Sequence, residues 1–294
     1  YYWNDPDSLD VDKVVYEVIA DDTSRALAAQ SGQIDYTRGL TSATLPTYES
    51  CKNMTITNYD ATTTSFLAFN TARAPFDDVN ARKAVAYCID KSALTSLIGG
   101  KYSKEQGAFI LPRSMFLLDE DAWNEANDTL ESYQQDYTKA AEALAASNSP
   151  DGFEFNMYTT PTYKAGCEAI QSMIKESGLP ITMNIVEIQN SDSFSIRYGY
   201  TTDENGYRVY DMLYTGWVSD WLDPTGYMRN MLWGGSNYQG GANYAAYTNE
   251  EFDSLLDQSY LETDDQVRSD LMLQAMKIAC LLYTSDAADD LIGV

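Results

Sequence analysis

The segment GWVSDWLDPTGY, residues 216–227, holds the side chains best suited to binding a ligand. Asp220 follows the apolar run MLYTGWV, a predicted strand, and Trp217 and Trp221 flank it. Open α/β sheets place ligand-contacting residues at the carboxyl ends of their strands. The Asp220 carboxylate could therefore pair with a ligand cation between two indole rings, or it could simply be solvated. Spacing alone leaves both interpretations open.

The second aspartate of this segment has a structural explanation. Asp223 precedes Pro224, and an Asp-Pro pair at the start of a helix predicts an N-cap followed by proline in the first turn. A different class of protein, an acidic glycoside hydrolase, would use a carboxylate pair such as Asp220 and Asp223. However, Asp223 is better explained as a cap, and the sequence identifies no second acid with a raised pKa. We therefore predict no catalytic residue.

Composition narrows the class of ligand. The 294 residues carry a formal charge of −25, contain no histidine and are 44% hydrophobic. A folded protein with this charge repels nucleic acid and anionic lipid, whereas cationic, zwitterionic or neutral ligands fit better. The lack of histidine removes the commonest general base and the commonest metal ligand. We predict no metal, no cofactor and no nucleic-acid partner, and no apolar run is long enough to span a membrane.

The cysteines give little information about the compartment. The chain has four of them, Cys51, Cys88, Cys167 and Cys280, far apart and without CxxC spacing. Buried free thiols are the predicted state. A disulfide such as Cys51 with Cys167 stays open, so the redox compartment is not indicated.

The first part of the chain is predicted to be a piece of an α/β layer. The runs KVVYEVIA (13–20), MTITNY (54–59) and SFLAFN (65–70) are short, apolar and strand-like. Between the first two, DDTSRALAAQSG begins with aspartates and ends at Gly32, which is the pattern of a capped helix.

The middle of the chain predicts helices and a βαβ unit. In DDVNARKAVAYCID the apolar residues share one helical face, and Asp77 or Asp78 is available as N-cap. A further helix is expected at 136–146. The runs FEFNMYTT, YKAGCEAIQSMIKESG and ITMNIVEI then predict strand, helix and strand, with parallel pairing of the two strands.

The last part of the chain predicts a loop and two helices. The segment GGSNYQGGANYAAYTN (234–249) is rich in glycine, asparagine and tyrosine, and we expect a surface loop. Asn249 is the predicted N-cap of the helix that follows. A final helix is expected at 264–279.

Three separated stretches resemble a known family. They are VVYEVIADDTSRALAAQSGQIDY (14–36), FNTARAPFDDVNARKAVAYCIDK (69–91), and GWVSDWLDP with the later YTNEEFDSLL. In this order they are similar to the peptide-binding (oligopeptide and dipeptide) family of extracytoplasmic solute-binding proteins of ABC transporters. The resemblance covers residues 1 to 279. It implies an α/β protein with the two-lobed type II periplasmic-binding-protein fold, which closes on its ligand by hinge motion.

The resemblance also implies how the chain is divided and what is missing. Residues 1–65 would belong to an incomplete first lobe, and residues 66–279 would form the second lobe with the ligand-contacting loops. The start at YYW resembles an internal segment of the family, which implies that an earlier part with a signal peptide is missing. Residues 280–294 depart from the family pattern and resemble an in-frame translation of a sequencing-library adapter. We expect that tail to be non-native.

The resemblance assigns roles to individual residues. In this family the acidic residue after the Trp of the W..D motif receives the α-ammonium group of a peptide, and Asp220 matches that position. The expected ligand contacts and the expected structural caps are then as follows: Asp220, Trp217, Trp221, Asn70 and Tyr238 as contacts, and Asp223 and Asn249 as caps.

The resemblance implies a function without chemistry. The protein would be a monomer outside the cytoplasm, as a cell-surface lipoprotein or in the periplasm, and would deliver peptides to the permease subunits of an ABC importer. An oligosaccharide is the alternative ligand, because aromatic faces stack on sugar rings and Tyr238, Tyr244 and Tyr247 lie in one tyrosine-rich segment. The same tyrosines could equally be packing or rim residues.

Overall fold

The computed structural model describes residues 11–281 and 291–293, apart from residues 39, 42, 58–61, 101–102, 106 and 117. The chain divides into two compact units, Tyr1–Asn58 and Tyr59–Val294. This division falls a few residues before residue 65, where the family resemblance places the boundary. The nature of the tail stays a prediction, and its residues 282–290 lie outside the described part of the chain.

The first unit is built around one capped helix. Helix α1 (Asp22–Ser31) follows Asp21, whose carboxylate accepts a hydrogen bond of 2.7 Å from the Ser24 N–H. The helix ends at Gly32, whose φ of 76° lies in the left-handed region that favours glycine. Both ends agree with the prediction. Helix α2 (Leu45–Glu49) packs against α1 around a small core of three buried side chains, Ala26, Ala29 and Tyr48.

Two predicted strands of the first unit are wrong. Residues 13–20 and 54–57 have no strand structure, and Tyr16 and Val18 are more than nine-tenths exposed. A run of β-branched residues favours an extended backbone, but a strand forms only when a neighbouring strand accepts its hydrogen bonds. The described residues of this unit supply no such neighbour. The last two residues of the second prediction, 58 and 59, lie outside the described residues.

The second unit contains a mixed sheet. The described strands are β1 (Thr63–Phe69), β2 (Phe153–Thr159), β3 (Ile181–Glu187), β4 (Met212–Val218) and β5 (Leu291–Gly293), in the spatial order β3-β2-β4-β1-β5. Strand β2 is parallel to both β3 and β4, whereas β1 is antiparallel to β4 and to β5. The predicted strand at 65–70 and the predicted parallel βαβ unit are confirmed.

Helices cover both faces of this sheet. The described α-helices of the unit are α3 (Val79–Ala86), α4 (Lys91–Gly99), α5 (Glu120–Thr129), α6 (Tyr137–Ala146), α7 (Lys164–Glu176), α8 (Asn190–Arg197), α9 (Thr225–Tyr227), α10 (Glu250–Leu261) and α11 (Asp265–Leu281). A turn of π-helix, Met228–Leu232, continues α9. Asp78 is the N-cap of α3, whose Ala81, Ala84 and Val85 are buried as predicted.

Strand β1 shows how the sheet divides the core. Phe66 and Ala68 belong to one buried cluster, whereas Leu67 and Phe69 belong to the other. This alternation follows from the two-residue period of a strand, in which successive side chains point to opposite faces. Both faces are therefore packed, and the sheet is a rigid base for the loops at its ends.

The tyrosine-rich segment 234–249 is only partly the surface loop that was predicted. Tyr238 is 61% exposed, but Tyr244 and Tyr247 are fully buried. Asn243 makes this burial possible, because its side chain accepts a hydrogen bond from the Tyr247 N–H at 3.0 Å and donates one to the Tyr247 carbonyl at 2.7 Å. Tyr244 and Tyr247 are therefore packing residues, which removes them from the alternative sugar site.

Cys51, Cys88 and Cys167 are free thiols, so the open alternative of a Cys51–Cys167 disulfide is not present. Cys88 and Cys167 are buried, as predicted, and Cys51 is half-buried. Burial raises the pKa of the Cys88 thiol to about 11 and that of Cys167 to about 12. Both thiols are therefore protonated at neutral pH and behave as small apolar side chains.

Candidate functional site

The candidate site is the loop of residues 219–224, which joins β4 to α9. The Ser219 N–H donates to the Thr62 carbonyl at 3.2 Å, which continues the β4–β1 pairing by one residue. The Tyr227 hydroxyl lies 2.8 Å from the Thr62 carbonyl and 2.9 Å from the Trp217 carbonyl. The loop therefore starts at a fixed point, the carboxyl end of a buried strand.

A close backbone approach at Gly226 shapes this loop. A Cβ atom at Gly226 would lie 1.9 Å from the Ser219 Oγ, so no other residue fits here without moving Ser219. The Gly226 carbonyl accepts hydrogen bonds from the Trp217 indole N–H at 3.1 Å and from the Asn230 amide at 2.9 Å. The Trp217 contact holds the start of α9 against the end of β4.

Asp223 is tied into the protein. Its carboxylate accepts a 2.9 Å hydrogen bond from the Thr225 N–H and another from the Thr225 hydroxyl, and it pairs with the Arg268 guanidinium at 2.8 Å. Burial opposes the charged carboxylate, but Arg268 and Thr225 outweigh it and lower the pKa of Asp223. Helix α9 begins at Thr225 with Pro224 at its N-cap position, so the helix starts one residue later than the Asp-Pro pattern suggests. Asp223 nonetheless satisfies a backbone N–H at the start of the helix.

Asp220 has the opposite environment. Its side chain is exposed and has no hydrogen-bond or ion-pair partner among the described residues. Trp221 beside it is 46% exposed, and its indole N–H donates to the Thr225 hydroxyl at 3.2 Å. Trp217 is half-buried, and its ring lies edge-on to the Tyr244 ring with 6.4 Å between the ring centroids. The loop thus presents one carboxylate that is unpaired among the described residues, and the two tryptophans that flank it in the sequence already use their indole N–H groups.

The structure separates Asn70 from this site. Strand β1 is antiparallel to β4, with Thr63 opposite Val218 and Phe69 opposite Met212. Asn70 and Asp220 therefore lie beyond opposite ends of the strand pair, whose seven residues at ~3.3 Å each span roughly 20 Å. The structure therefore does not bring these two predicted contact residues together, and their roles in binding stay predictions.

The Asn70 side chain is used inside the protein. It is 1% exposed, and its amide donates to the Arg208 carbonyl at 3.2 Å and to the Tyr210 carbonyl at 3.0 Å. Its oxygen accepts a 3.3 Å hydrogen bond from the Ala72 N–H. Tyr238 lies at this same end of the strand pair, where both residues line a pocket.

Sequence reasoning missed two residues next to the predicted ones. Arg268 is far from Asp223 in the sequence, and no motif marks it as the ion-pair partner. Tyr207 lines the same pocket as Tyr238 and is 47% exposed. It follows the turn residue Gly206 in NGY, a signal for an exposed loop that could have drawn attention to it.

The chain is similar in sequence to a family of bacterial binding proteins and to individual members with known names. The profile of a family described as bacterial extracellular solute-binding proteins, family 5 Middle, matches residues 1–239. The chain is 28% identical over 288 residues to heme-binding protein A of Haemophilus influenzae and 26% identical over 281 residues to the oligopeptide-binding protein OppA of Bacillus subtilis. The two matches cover 94% and 93% of this chain and 48% of each relative. The chain therefore spans about half the length of the curated relatives it matches.

Solved structures are similar over the same extent. The periplasmic binding protein DppA of Helicobacter pylori, in complex with the peptide STSA, superposes with a TM-score of 0.78 at 21% identity, covering 94% of this chain and 50% of that one. A dipeptide-binding protein of Pseudoalteromonas sp. SM9913, in complex with Met-Leu, gives 0.75 at 22% identity, with 95% and 52% covered. The prediction of an α/β periplasmic-binding-protein fold, present in part, is confirmed. Among the described helices, none is long and apolar enough to cross a bilayer.

Proposed function

Because the chain belongs to family 5 of the bacterial extracellular solute-binding proteins, we propose that it captures peptides for an ABC importer and passes them to the permease subunits in the membrane. Two of its relatives are named for binding D,D-dipeptides and oligopeptides, in Escherichia coli and Bacillus subtilis. We further propose that it works as a monomer outside the cytoplasm, either as a cell-surface lipoprotein or in the periplasm.

The observation that carries the proposal is the unpaired carboxylate of Asp220. In the loop of residues 219–224, Ser219, Trp221 and Asp223 all use their polar atoms within the protein, whereas Asp220 does not. A peptide α-ammonium group supplies three hydrogen-bond donors and a positive charge at the point where Asp220 supplies acceptors. Such a charge-assisted contact, when shielded from water, contributes about 2 kcal/mol or more.

The flanking rings fit the same ligand. Trp217 and Trp221 provide flat apolar surface beside the carboxylate, which favours both the methylene groups next to an ammonium and the cation itself. Neither indole N–H is free to compete for ligand acceptors, because each already donates within the protein. The site would therefore select its ligand through the amino terminus and would tolerate different side chains beyond it.

A hydrolase that uses Asp220 and Asp223 as its carboxylate pair is less well supported. A general acid needs a raised pKa, so that it keeps its proton near neutral pH. Burial opposes the charge of Asp223, but Arg268 and Thr225 stabilise it and lower the pKa, so Asp223 does not suit the role of the acid. The ionised partner of the pair must reach water or substrate, whereas the Asp223 oxygens are held by Thr225 and Arg268. The proposed protein accordingly binds its ligand and performs no chemistry on it.

Calorimetry with a pool of di- to hexapeptides tests this proposal. We expect saturable binding of peptides, together with unchanged peptides after long incubation as judged by mass spectrometry. Peptides that give no heat of binding, or that are cleaved, would overturn the proposal. Release of reducing ends from an uncharged polysaccharide would instead support the hydrolase.

A further inference from the structure

A pocket lies at the end of β1 opposite to Asp220 and has no part in the proposed peptide site. Its volume is about 430 Å³, within the range of pockets that hold small ligands. It lies between the turn of residues 202–208, the segment of residues 237–239 and the residues that follow β1. Tyr207 and Tyr238 stand at its edge with exposed rings.

The walls of this pocket are fixed by a buried guanidinium group. Arg208 is 7% exposed and donates to the Arg197 carbonyl at 3.3 Å, to the Asn237 side chain at 3.0 Å and to the Gly241 carbonyl at 3.1 Å. It therefore ties the segment that carries Tyr238 to the turn that carries Tyr207. The backbone segments that carry the two tyrosine rings are therefore bonded to each other without a ligand.

A second guanidinium group, that of Arg73, also stabilises the turn of residues 202–208. The Arg73 guanidinium pairs with Asp203 at 2.9 Å and with Asp211 at 3.2 Å, and it donates to the Arg208 carbonyl at 3.1 Å. Asp203 in turn accepts hydrogen bonds from the backbone N–H groups of Asn205 and Tyr207, at 2.9 and 3.0 Å. The turn is thus held by contacts that leave the Tyr207 ring free.

The backbone at the wall of the pocket is unusual. Ala246 lines the pocket with a φ of 58°, in the left-handed region that L-residues other than glycine rarely adopt. Residues held in such conformations concentrate at ligand-binding sites, where the surrounding structure enforces them. The Asn237 amide contributes to this enforcement with a 3.4 Å hydrogen bond to the Ala246 carbonyl.

The chemistry of the lining selects the ligand class. Arg208 is the charged residue of the lining, and it is 7% exposed. Three of its guanidinium N–H groups already donate to the Arg197 carbonyl, the Asn237 side chain and the Gly241 carbonyl, so these donors are not available to a ligand. The hydroxyl groups of Tyr207 and Tyr238 and the amide of Gln239 have no partner among the described residues. The pocket therefore offers two aromatic faces together with neutral donors and acceptors.

We propose that this pocket is a second binding site, which takes a neutral pyranose unit of a saccharide. A pyranose ring has an apolar C–H face that packs on a tyrosine ring, and hydroxyl groups around its edge that pair with phenol and amide groups. The net charge of −25 repels acidic sugars and leaves neutral ones unaffected. The proposal does not depend on the peptide site, because the two lie at opposite ends of the β1–β4 pair.

Titration with two uncharged trisaccharides, maltotriose and N,N′,N″-triacetylchitotriose, tests the proposal by calorimetry and by heteronuclear NMR. We expect at least one of them to bind at about 10 mM or below, with shifts centred on Tyr207 and Tyr238. Tyr207→Ala and Tyr238→Ala should each weaken this binding about tenfold or more. Both rings are half exposed, so neither variant should impair folding, which thermal unfolding will check.

Two matched variants distinguish this pocket from the peptide site and from any exposed tyrosine ring. Tyr260→Ala removes a ring of similar exposure on α10, outside the pocket, and should leave saccharide binding unchanged. Asp220→Asn should also leave it unchanged. Absence of binding for both trisaccharides at about 10 mM, or binding that survives both tyrosine variants, would overturn the proposal. Saccharide binding lost in Asp220→Asn would overturn it too, because the sugar would then occupy the site at Asp220.

Discussion

The two ends of the β1–β4 strand pair carry polar residues in opposite situations. At the carboxyl end of β4, Asp220 is exposed and unpaired among the described residues. At the other end, Asn70 is buried and its side chain makes three hydrogen bonds to backbone groups. Both residues belong to sequence motifs of the same family. The Asp220 carboxylate is available to a ligand, whereas the Asn70 amide is already hydrogen-bonded inside the protein.

This difference separates residues that build the fold from residues that can bind. A buried amide with satisfied partners stabilises the chain, since its loss removes hydrogen bonds to buried backbone groups. An exposed carboxylate without partners contributes little to stability, so its replacement should act on ligand binding alone. Variants at the two ends should therefore have opposite effects on stability and on affinity.

The largest expected effect on affinity is that of Asp220→Asn. Loss of the charged acceptor should weaken the binding of a peptide with a free amino terminus by about 2 kcal/mol or more, which is roughly thirtyfold in Kd. Thermal stability should not change, because Asp220 has no partner among the described residues to lose. Isothermal titration measures the affinity. Asp121→Asn removes the same charge from an exposed position on α5 and should leave Kd within about twofold of the native value.

The largest expected effect on stability is that of Asn70→Ala. Removing the amide leaves the Arg208 and Tyr210 carbonyls buried without this donor, which costs about 2 to 3 kcal/mol of unfolding free energy. Urea unfolding measures it. Asn80→Ala is the matched control, because the Asn80 side chain makes one hydrogen bond, to the Ala146 carbonyl. A loss at Asn80 as large as that at Asn70 would contradict the structural role assigned to Asn70.

Asp223→Asn should lower the free energy of unfolding by an intermediate amount, and this loss should depend on pH. The folded-state pKa of Asp223 lies below its ordinary value, so its ion pair stabilises the protein above about pH 4 and loses this contribution as pH falls through the lowered pKa. We expect the variant to be less stable by about 1 to 2 kcal/mol at pH 7 and the difference to shrink on acidification. Urea unfolding at several pH values measures this.

Replacing Arg268, the ion-pair partner of Asp223, tests the same interaction independently. Arg268→Gln should reproduce the loss at pH 7, whereas Arg113→Gln, in a much more exposed pair with Asp128, should cost less than about 0.5 kcal/mol. Equal losses for the two arginine variants would show that burial does not distinguish the pairs. A pH-independent loss in Asp223→Asn would contradict the assigned ion pair.

Trp221→Ala is expected to have the smallest effect. The ring supplies apolar surface beside Asp220, so its removal should weaken peptide binding about three- to tenfold. Trp221→Phe keeps an aromatic face and should retain most of the affinity. Titration of both variants with one peptide decides the point, and equal affinity of all three proteins would exclude Trp221 from the site.

Local signals in the sequence identified much of the second unit. Asp78 and Asn249 each cap a helix as predicted, because a short polar side chain can accept a hydrogen bond from a free backbone N–H in the first turn. The βαβ unit followed from the same kind of pattern. These predictions depend on neighbours in sequence, which is why they agree with the structure.

Predictions that depend on distant partners were less successful. The run 13–20 has the composition of a strand, but the described residues of its unit offer it no pairing edge. The partner of Asp223, Arg268, and the antiparallel direction of β1 relative to β4 come from tertiary packing. The segment at 216–227 still indicated Asp220, because it lies at the carboxyl end of an apolar strand and between two tryptophans.

The most direct test of the account compares one tripeptide with a free and an acetylated amino terminus. Its affinity should be measured by calorimetry for the native protein and for Asp220→Asn. If Asp220 receives the ammonium group, the native protein prefers the free peptide by roughly thirtyfold, and the variant loses this preference. If both proteins show the same preference, or neither shows one, the ammonium group is not bound by Asp220 and the central claim is wrong.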